Sequence, residues 1–190
     1  MNKARHLLAG AAFIAGLAAP ALAQDQFTQM QDSCIACHGD DATKDVPHLG
    51  GLDAYYALLQ LVAFRGGQRQ DDIMTGMVAD FTDNDLRAAS EWVATLPAPD
   101  APQDEPDADR MAAGAQLSKD HRCASCHGAD YTDGRQMPPL RNQRQDYVAK
   151  SLQDYKAERR IGDRAAMVEI ATELSDDDIE TLAYYVAHLQ

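Results

Sequence analysis

Apolar residues recur along this chain with the period of α-helices. The clearest case is a pair of segments with apolar residues at i, i+3, i+7 and i+10: Leu86, Ala89, Val93 and Leu96, and later Ile179, Leu182, Val186 and Leu189. This spacing places four apolar side chains on one face of a helix. A hydroxyl residue precedes each helix and an aspartate follows three positions later, which predicts an approximate capping box at each start: Thr82 with Asp85, and Ser175 with Asp178.

Two further helices are predicted at about 52–65 and 146–159, and a third in each half is expected at or before a short cysteine-containing segment. No stretch alternates between apolar and polar residues in the way that predicts a strand. The predicted fold class is therefore all-α.

The two halves of the chain repeat one another. Residues 46–69 align with 137–160 at an offset of 91, and residues 74–96 align with 167–189 at an offset of 93. Small loop insertions would produce this growth in the offset. The sequence predicts two copies of one module, the first at 24–96 and the second at 110–190.

Residues 97–109, between the modules, contain four of the chain's eight prolines and five acidic residues, with no basic residue. Such a composition cannot build a core, so this linker is expected to be an extended, semi-rigid connector. Each module has only about 75 residues, and its own apolar core would be marginal without an additional buried group.

The first 23 residues are predicted to be a secretory signal peptide. Lys3 and Arg5 precede an apolar run, 7–19, and a small-residue segment ending at Ala23. A retained membrane anchor is the alternative, but the run is shorter than the ~20 residues that a spanning helix needs. Cleavage after about Ala23 would leave a soluble protein in the periplasm.

Charge narrows the choice of partners. The formal net charge is −13, and removal of Lys3 and Arg5 with the signal peptide takes it to −15. Nucleic acid is an unsuitable partner for so acidic a surface, because its phosphates would be repelled. A partner with a basic docking patch would suit it, although such a charge is also typical of an exported protein that only needs to stay soluble.

All four cysteines lie in two similar hexapeptides, CIACHG at 34–39 and CASCHG at 123–128. Disulfides would not require the histidine that follows the second cysteine of both pairs. A thioredoxin-like redox pair needs a βαβ setting, and the two halves of a zinc site would be 85 residues apart, far more than is usual. C-x-x-C-H is the attachment motif of c-type haem. The sequence therefore predicts two covalently bound haem c groups, attached through Cys34, Cys37, Cys123 and Cys126, with His38 and His127 as iron ligands.

The second axial ligand of each iron has several candidates: Met74, Met77 and His48 in the first module, and Met167, Met137 and His188 in the second. Only Met74 and Met167 occupy matching places, each eight residues before the capping hydroxyl residue. Met77 remains an alternative to Met74, and His188 is predicted to be a surface residue. A His–Met pair suits electron transfer and leaves no iron position for a small-molecule substrate.

Two arginines, Arg69 and Arg160, also recur at matching places. Each lies between the long helix and the candidate methionine of its module. Because a guanidinium binds an anion through paired hydrogen bonds, we expect each to contact a haem propionate. A solvated arginine at a helix end is the alternative.

Together these motifs resemble the dihaem cytochrome c4 family. The resemblance covers nearly all of the chain after residue 23 and implies two tandem class I cytochrome c domains, with His38 and Met74 binding one iron and His127 and Met167 the other. It implies that Pro47 and Pro138 orient the two histidines through their carbonyls. The family's P-x-L-x-G-Q segment reads PHLGGL and PPLRNQ here, and only the second module has a glycine, Gly114, before its haem motif.

The resemblance implies a periplasmic carrier that works close to the membrane surface and exchanges electrons with donor and acceptor cytochromes, an oxidase or a dehydrogenase. The alternative is a dihaem subunit of a periplasmic dehydrogenase, such as a sulfide-oxidising flavocytochrome. A dihaem peroxidase is less favoured, because such enzymes resemble much longer chains and need an open iron position. The protein is therefore predicted not to be an enzyme.

Overall fold

The computed structural model of the chain describes residues 19–39, 44–132, 137–161 and 165–189. Within these ranges the backbone is helical with no strand, which confirms the all-α prediction. The helices are α1 (Ala19–His38), α2 (Ala54–Arg65), α3 (Asp72–Val78), α4 (Asp83–Val93), α5 (Ala108–Asp120), α6 (Ala124–His127), α7 (Gln145–Lys156), α8 (Ala165–Glu173) and α9 (Asp176–Ala187). Among the described residues, no helix has the length and apolarity to cross a bilayer.

Most of the predicted signal peptide lies outside the described residues, and the domain boundaries stay predictions. The structure does show how the linker ends. The carboxylate of Asp107 accepts a hydrogen bond from the Arg110 amide at 2.9 Å, which caps α5 and starts it at Ala108. The helix therefore begins two residues before the predicted start of the second module at 110.

Both predicted capping boxes are present. Thr82 Oγ1 accepts a hydrogen bond from the Asp85 amide at 3.2 Å, and Asp85 Oδ2 accepts one from the Thr82 amide at 2.8 Å. At the start of α9 the corresponding distances between Ser175 and Asp178 are 3.1 and 2.9 Å. The start of the last helix is thus built in the same way in both modules.

The apolar stripes of α4 and α9 line the two cores. In the first module α2 packs on α3 and α4, and Leu86 is completely buried beside Phe64 and Val78. In the second, α9 packs on α5 and α7, with Ile179 completely buried in a larger cluster that also contains Val148, Ala149, Leu174, Leu182, Ala183 and Val186.

The core of the second module is larger partly because α5 crosses α9 at close range. A Cβ atom on Gly114 would lie 2.3 Å from Cβ of Tyr185, so a glycine is needed at this crossing. At the offset of the haem motifs, the corresponding residue of the first module is Asp25. Within the described residues, α1 makes no comparable contact with α4.

The two modules meet along the segments that follow α2 and α7. Arg69 and Arg160 form an antiparallel bridge, in which Gln70 donates its amide hydrogen to the Arg159 carbonyl at 2.9 Å and Ile161 donates to the Gln68 carbonyl at 3.1 Å. Equivalent segments of the two modules therefore face one another across an approximate two-fold axis.

The linker is bound to the protein near both ends. Asn142 Nδ2 donates to the Pro99 carbonyl at 3.3 Å, and the Asp107 amide donates to the Tyr184 hydroxyl at 2.7 Å. The backbone between these points is irregular, as its composition predicts, but its ends are packed against the second module.

Candidate haem-binding sites

The first cysteine motif forms the last turns of α1, which ends at His38. Cys34, Cys37 and His38 have the spacing i, i+3 and i+4, so they lie on one face of the helix. Cys34 is half-buried and Cys37 is exposed. Burial raises the pKa of the Cys34 thiol. The helix presents two thiols and an imidazole side by side, as covalent haem attachment requires.

The second motif has the same local arrangement. Cys123 directly precedes the short helix α6, which contains Cys126 and ends at His127. Cys123 is half-buried and Cys126 is exposed, as in the first module, and His127 is buried. The cysteines at equivalent positions of the two motifs therefore have equivalent exposure, whereas His127 is more deeply buried than His38.

Both motif histidines bond to the carbonyl of the proline that the repeat places in the following loop. The distance from His38 Nδ1 to the Pro47 oxygen is 2.9 Å, and that from His127 Nδ1 to the Pro138 oxygen is 3.0 Å. Because a carbonyl only accepts, Nδ1 must carry the proton, and Nε2 is then the nitrogen with a lone pair for iron. Burial also lowers the pKa of His38, which favours its neutral form, although its bond to the Pro47 carbonyl acts in the opposite direction.

The candidate methionines lie on equivalent short helices. Met74 is in the first turn of α3, where its amide donates to Asp71 Oδ1 at 3.0 Å, and it is partly buried against the core of the first module. Met167, on α8, is also partly buried. Met77 is one turn further along α3 and 40% exposed. Of the two methionines on α3, Met74 is therefore the one packed inside the module.

The prediction that His188 is a surface residue is wrong. Its side chain is only 11% exposed, its ring stacks on Tyr184 with 4.0 Å between centroids, and its Nε2 lies 3.5 Å from an Asp104 carboxylate oxygen. His188 follows the last helix, but the linker folds back over that end of the chain and covers it. Its Nδ1 lies 2.8 Å from the Tyr184 carbonyl oxygen, so the ring is held by contacts with Tyr184 and Asp104.

Arg69 and Arg160 cross the boundary between the modules. Arg69 Nη2 donates to the Tyr147 hydroxyl at 3.0 Å, and Arg160 Nη2 donates to the Tyr56 hydroxyl at 2.6 Å. Gln60 Oε1 accepts from both guanidiniums, at 2.8 and 3.0 Å. The sequence repeat pairs Tyr56 with Tyr147, but it gives no sign that each tyrosine bonds to the arginine of the other module, and Gln60 has no glutamine counterpart.

We call these residues the arginine–tyrosine cluster (Tyr56, Gln60, Arg69, Tyr147 and Arg160). The cluster contains two positive charges and no carboxylate, so it is suited to bind the propionates of a haem. Among the described residues neither guanidinium makes an ion pair, and Arg160 is only 5% exposed, with its Nε buried and unbonded. Although burial raises the pKa of Tyr147, the charges of Arg69 and Arg160 lower it to about 7. Buried cations require a compensating negative charge, and the propionates of a haem would provide it.

Several known proteins with similar sequences and folds are cytochromes. The Cytochrome c family profile matches residues 111–190. The chain is 31% identical over 170 residues to the thiosulfate dehydrogenase electron acceptor of Stutzerimonas stutzeri strain A1501, covering 83% of this chain and 79% of that one. It is 30% identical over 172 residues to cytochrome c4 of Pseudomonas aeruginosa, covering 82% and 83%. The crystal structure of reduced recombinant cytochrome c4 from Pseudomonas stutzeri matches with a TM-score of 0.76 at 26% identity, covering 87% of this chain and 98% of that one.

An all-α fold with two equivalent C-x-x-C-H sites defines a c-type cytochrome with two covalently bound haem c groups. The similarity over most of the chain shows that it belongs to the dihaem cytochrome c4 family. It is an electron-transfer cytochrome, and its partners are redox proteins.

Proposed function

We propose that this cytochrome is a periplasmic carrier in which haem is attached through Cys34 and Cys37 in the first module and through Cys123 and Cys126 in the second. Each haem supplies one-electron Fe(III)/Fe(II) chemistry when bound. The observation that supports this proposal most strongly is the repeated bond between a motif histidine and a proline carbonyl, at 2.9 Å for His38 and 3.0 Å for His127. A protein hydrogen bond of this kind orients a ligating imidazole and raises its basicity.

In this proposal His38 and Met74 would hold the iron of the first haem, and His127 and Met167 would hold that of the second. The partial burial of Met74 in the core of its module, compared with the 40% exposure of Met77, supports the choice on α3. Thioether ligation raises the potential of a c-type haem and suits electron transfer. With a histidine and a methionine both holding each iron, the protein would leave no iron position for a small molecule, and the cytochrome would transfer electrons without acting as an enzyme.

The leading role is that of a diffusible carrier between respiratory proteins, exported by the signal peptide at 1–23. A second role is supported by the relative from Stutzerimonas stutzeri, which is described as the electron acceptor of thiosulfate dehydrogenase. Here the cytochrome would accept electrons from a periplasmic dehydrogenase of that kind.

The partner's docking surface is expected to be basic and to meet the first module. Residues 24–96 contain twelve acidic and four basic residues, a formal charge of −8, whereas residues 110–190 contain thirteen and eleven, a charge of −2. Since opposite charges accelerate encounter and long-range attraction falls steeply with salt, association through the first module should be fast and salt-dependent.

Stopped-flow mixing of the oxidised protein with a reduced donor tests this function. Candidate donors are a thiosulfate dehydrogenase with its substrate and a quinol-oxidising complex, and each is assayed across a range of ionic strengths. A carrier is reduced rapidly, at a rate that falls as salt rises, and passes its electrons to an oxidase. Slow reduction by every donor, together with turnover of peroxide, would contradict the proposal and favour an enzyme.

A further inference from the structure

The side chain of Gln143, in the second module, is bonded to the backbone of the first. Gln143 Oε1 accepts a hydrogen bond from the His48 amide at 2.9 Å, and Gln143 Nε2 donates to the His48 carbonyl at 2.9 Å. Gln143 is only 6% exposed. A buried amide with both of its ends bonded to one residue has a fixed orientation, so this contact defines where the His48 backbone lies.

The amide of His48 and the carbonyl of Pro47 belong to the same peptide group. The carbonyl of that group accepts from His38 Nδ1 at 2.9 Å, while its N–H donates to Gln143. The peptide group is planar, so fixing its N–H also fixes the direction of its carbonyl. A chain of two hydrogen bonds therefore runs from Gln143 of the second module to the motif histidine of the first.

Hydrogen bonds in such a chain strengthen one another. When Gln143 accepts from the N–H, the carbonyl at the other end of the peptide becomes more negative and is a stronger acceptor for His38. A stronger bond at Nδ1 makes the imidazole more electron-rich at Nε2 and a more basic ligand. A more basic ligand stabilises ferric iron and lowers the reduction potential.

The second module has no equivalent chain of hydrogen bonds to its motif histidine. At the position of His48 the second module has Pro139, which has no amide hydrogen to donate, and at the position of Gln143 the first module has Leu52. The chain from the His127 ring thus ends at the Pro138 carbonyl, at 3.0 Å. The contact between the modules therefore affects the motif histidine of the first module and not that of the second.

We propose that Gln143 is a positioning residue through which the second module holds the peptide that orients His38 and thereby lowers the reduction potential of the first haem. This proposal rests on the ligation of iron by His38 given above. It makes the potential of one haem depend on the contact between the modules, while the other haem is independent of it.

The test compares the two haem potentials of the holoprotein with those of Gln143→Leu, which introduces the residue found at the matching place of the first module. Each haem is assigned by NMR of its paramagnetically shifted resonances, and both are titrated in the same sample. The expected result is a rise in the potential of the first haem with the second unchanged. Gln153→Leu, at an exposed glutamine on α7, is the control and should change neither.

A second variant separates this role from simple packing. Gln143→Glu keeps an oxygen acceptor for the His48 amide, loses the donor to the His48 carbonyl and adds a negative charge that favours ferric iron, so the potential of the first haem should fall and not rise. Equal shifts of both haems in Gln143→Leu, or no shift in a folded protein, would overturn the proposal. A haem content below two, or a parent without the near-infrared methionine-to-iron band, would instead contradict the proposed function, so the two failures are distinguishable.

Discussion

The guanidinium of Arg160 donates a hydrogen bond to the hydroxyl of Tyr56 in the other module at 2.6 Å. The reciprocal pair, Arg69 and Tyr147, has a donor–acceptor distance of 3.0 Å. The two pairs are not equivalent, because Arg160 is buried with its Nε unbonded, whereas Arg69 is only partly buried. The repeat thus places the two arginine–tyrosine pairs in matching positions, but Arg160 is far more desolvated than Arg69.

We predict that Arg160→Gln lowers at least one haem potential more than Arg69→Gln does. A buried positive charge stabilises the reduced haem, and its effect is less screened by solvent than that of a more exposed one. A redox titration of both variants measures the difference. Tyr56→Phe is the matched control, since it removes the hydroxyl acceptor but keeps the charge, and it should change the potentials less than Arg160→Gln.

The loss of this contact should also destabilise the fold. Without Arg160 the buried hydroxyl of Tyr56 loses its donor, which typically costs about 1–3 kcal/mol. Unchanged potentials in Arg160→Gln would mean that the haems do not sense this charge. An unchanged free energy of unfolding would mean that the bond between Arg160 and Tyr56 does not stabilise the fold.

Haem attachment is predicted to be independent in the two motifs. Replacing Cys34 and Cys37 together by alanine should leave one covalent haem per chain, bound by the second module, and replacing Cys123 and Cys126 should leave the other. A pyridine haemochrome assay on denatured protein measures the stoichiometry, with the parent giving two. Retention of two covalent haems in either double variant would contradict the assignment of the thiols.

Features formed by residues that lie close together in the sequence could be predicted. The capping boxes at Thr82 and Ser175 depend on residues three positions apart. The bond between each motif histidine and its proline was implied by the family resemblance, because the proline is present in both copies here. Such features involve short chain separations, so their residue types and spacing are visible in the sequence.

Contacts between the modules could not be predicted in the same way. Gln143 bonds to His48 across 95 residues and Arg160 to Tyr56 across 104, and helical periodicity carries no information on how two modules face one another. His188 was misassigned for a related reason. A residue after the last helix is usually exposed, but here the Asp104 segment of the linker returns to cover it.

Two glycines that lie within helices should respond oppositely to alanine. A Cβ on Gly114 would lie 2.3 Å from Cβ of Tyr185, so Gly114→Ala must push α5 away from α9 and should cost about 1–3 kcal/mol. At Gly76, on α3, a Cβ would meet no described atom within 4 Å apart from the nearby backbone of its own helix, so Gly76→Ala should stabilise by up to about 1 kcal/mol. Denaturant unfolding measures both. Equal effects of the two substitutions would mean that α5 and α9 do not cross closely.

Stability at acid pH should depend on the two capping boxes. Hydrogen bonds from Thr82 hold the pKa of Asp85 below its ordinary value of 3.8, and those from Ser175 do the same for Asp178. A lowered pKa in the folded state gives stability that is present above pH 3.8 and is lost as pH falls through the folded-state value. The double variant Thr82→Ala, Ser175→Ala should therefore lose stability at pH 7 and show a weaker decline below pH 4.

Free energies of unfolding between pH 2.5 and 7 test this dependence. Thr95→Ala is the control, because the Thr95 hydroxyl donates to the backbone carbonyl of Trp92 rather than to a carboxylate. Its acid dependence should equal that of the parent. If the free energy of unfolding of the double variant declined with falling pH as steeply as that of the parent, the lowered pKa values would come from other groups.

Of the two methionines on α3, Met74 is expected to bind the first iron, and Met77 is not. Met74→Leu should lower the potential of one haem and leave the other nearly unchanged, because thioether ligation favours the reduced state, and Met167→Leu should do the same for the other haem. Each should also remove one haem's share of the near-infrared sulfur-to-iron band of the oxidised protein. Met77→Leu is the matched control one turn away on the same helix, at 40% exposure, and should leave both spectra intact.

Loss of the band in Met77→Leu but not in Met74→Leu would assign the first iron to Met77 and would mean that the repeat does not preserve the ligand position. Ready binding of carbon monoxide by both haems of the parent protein would contradict the electron-carrier proposal itself, since a haem with two protein ligands has no open position.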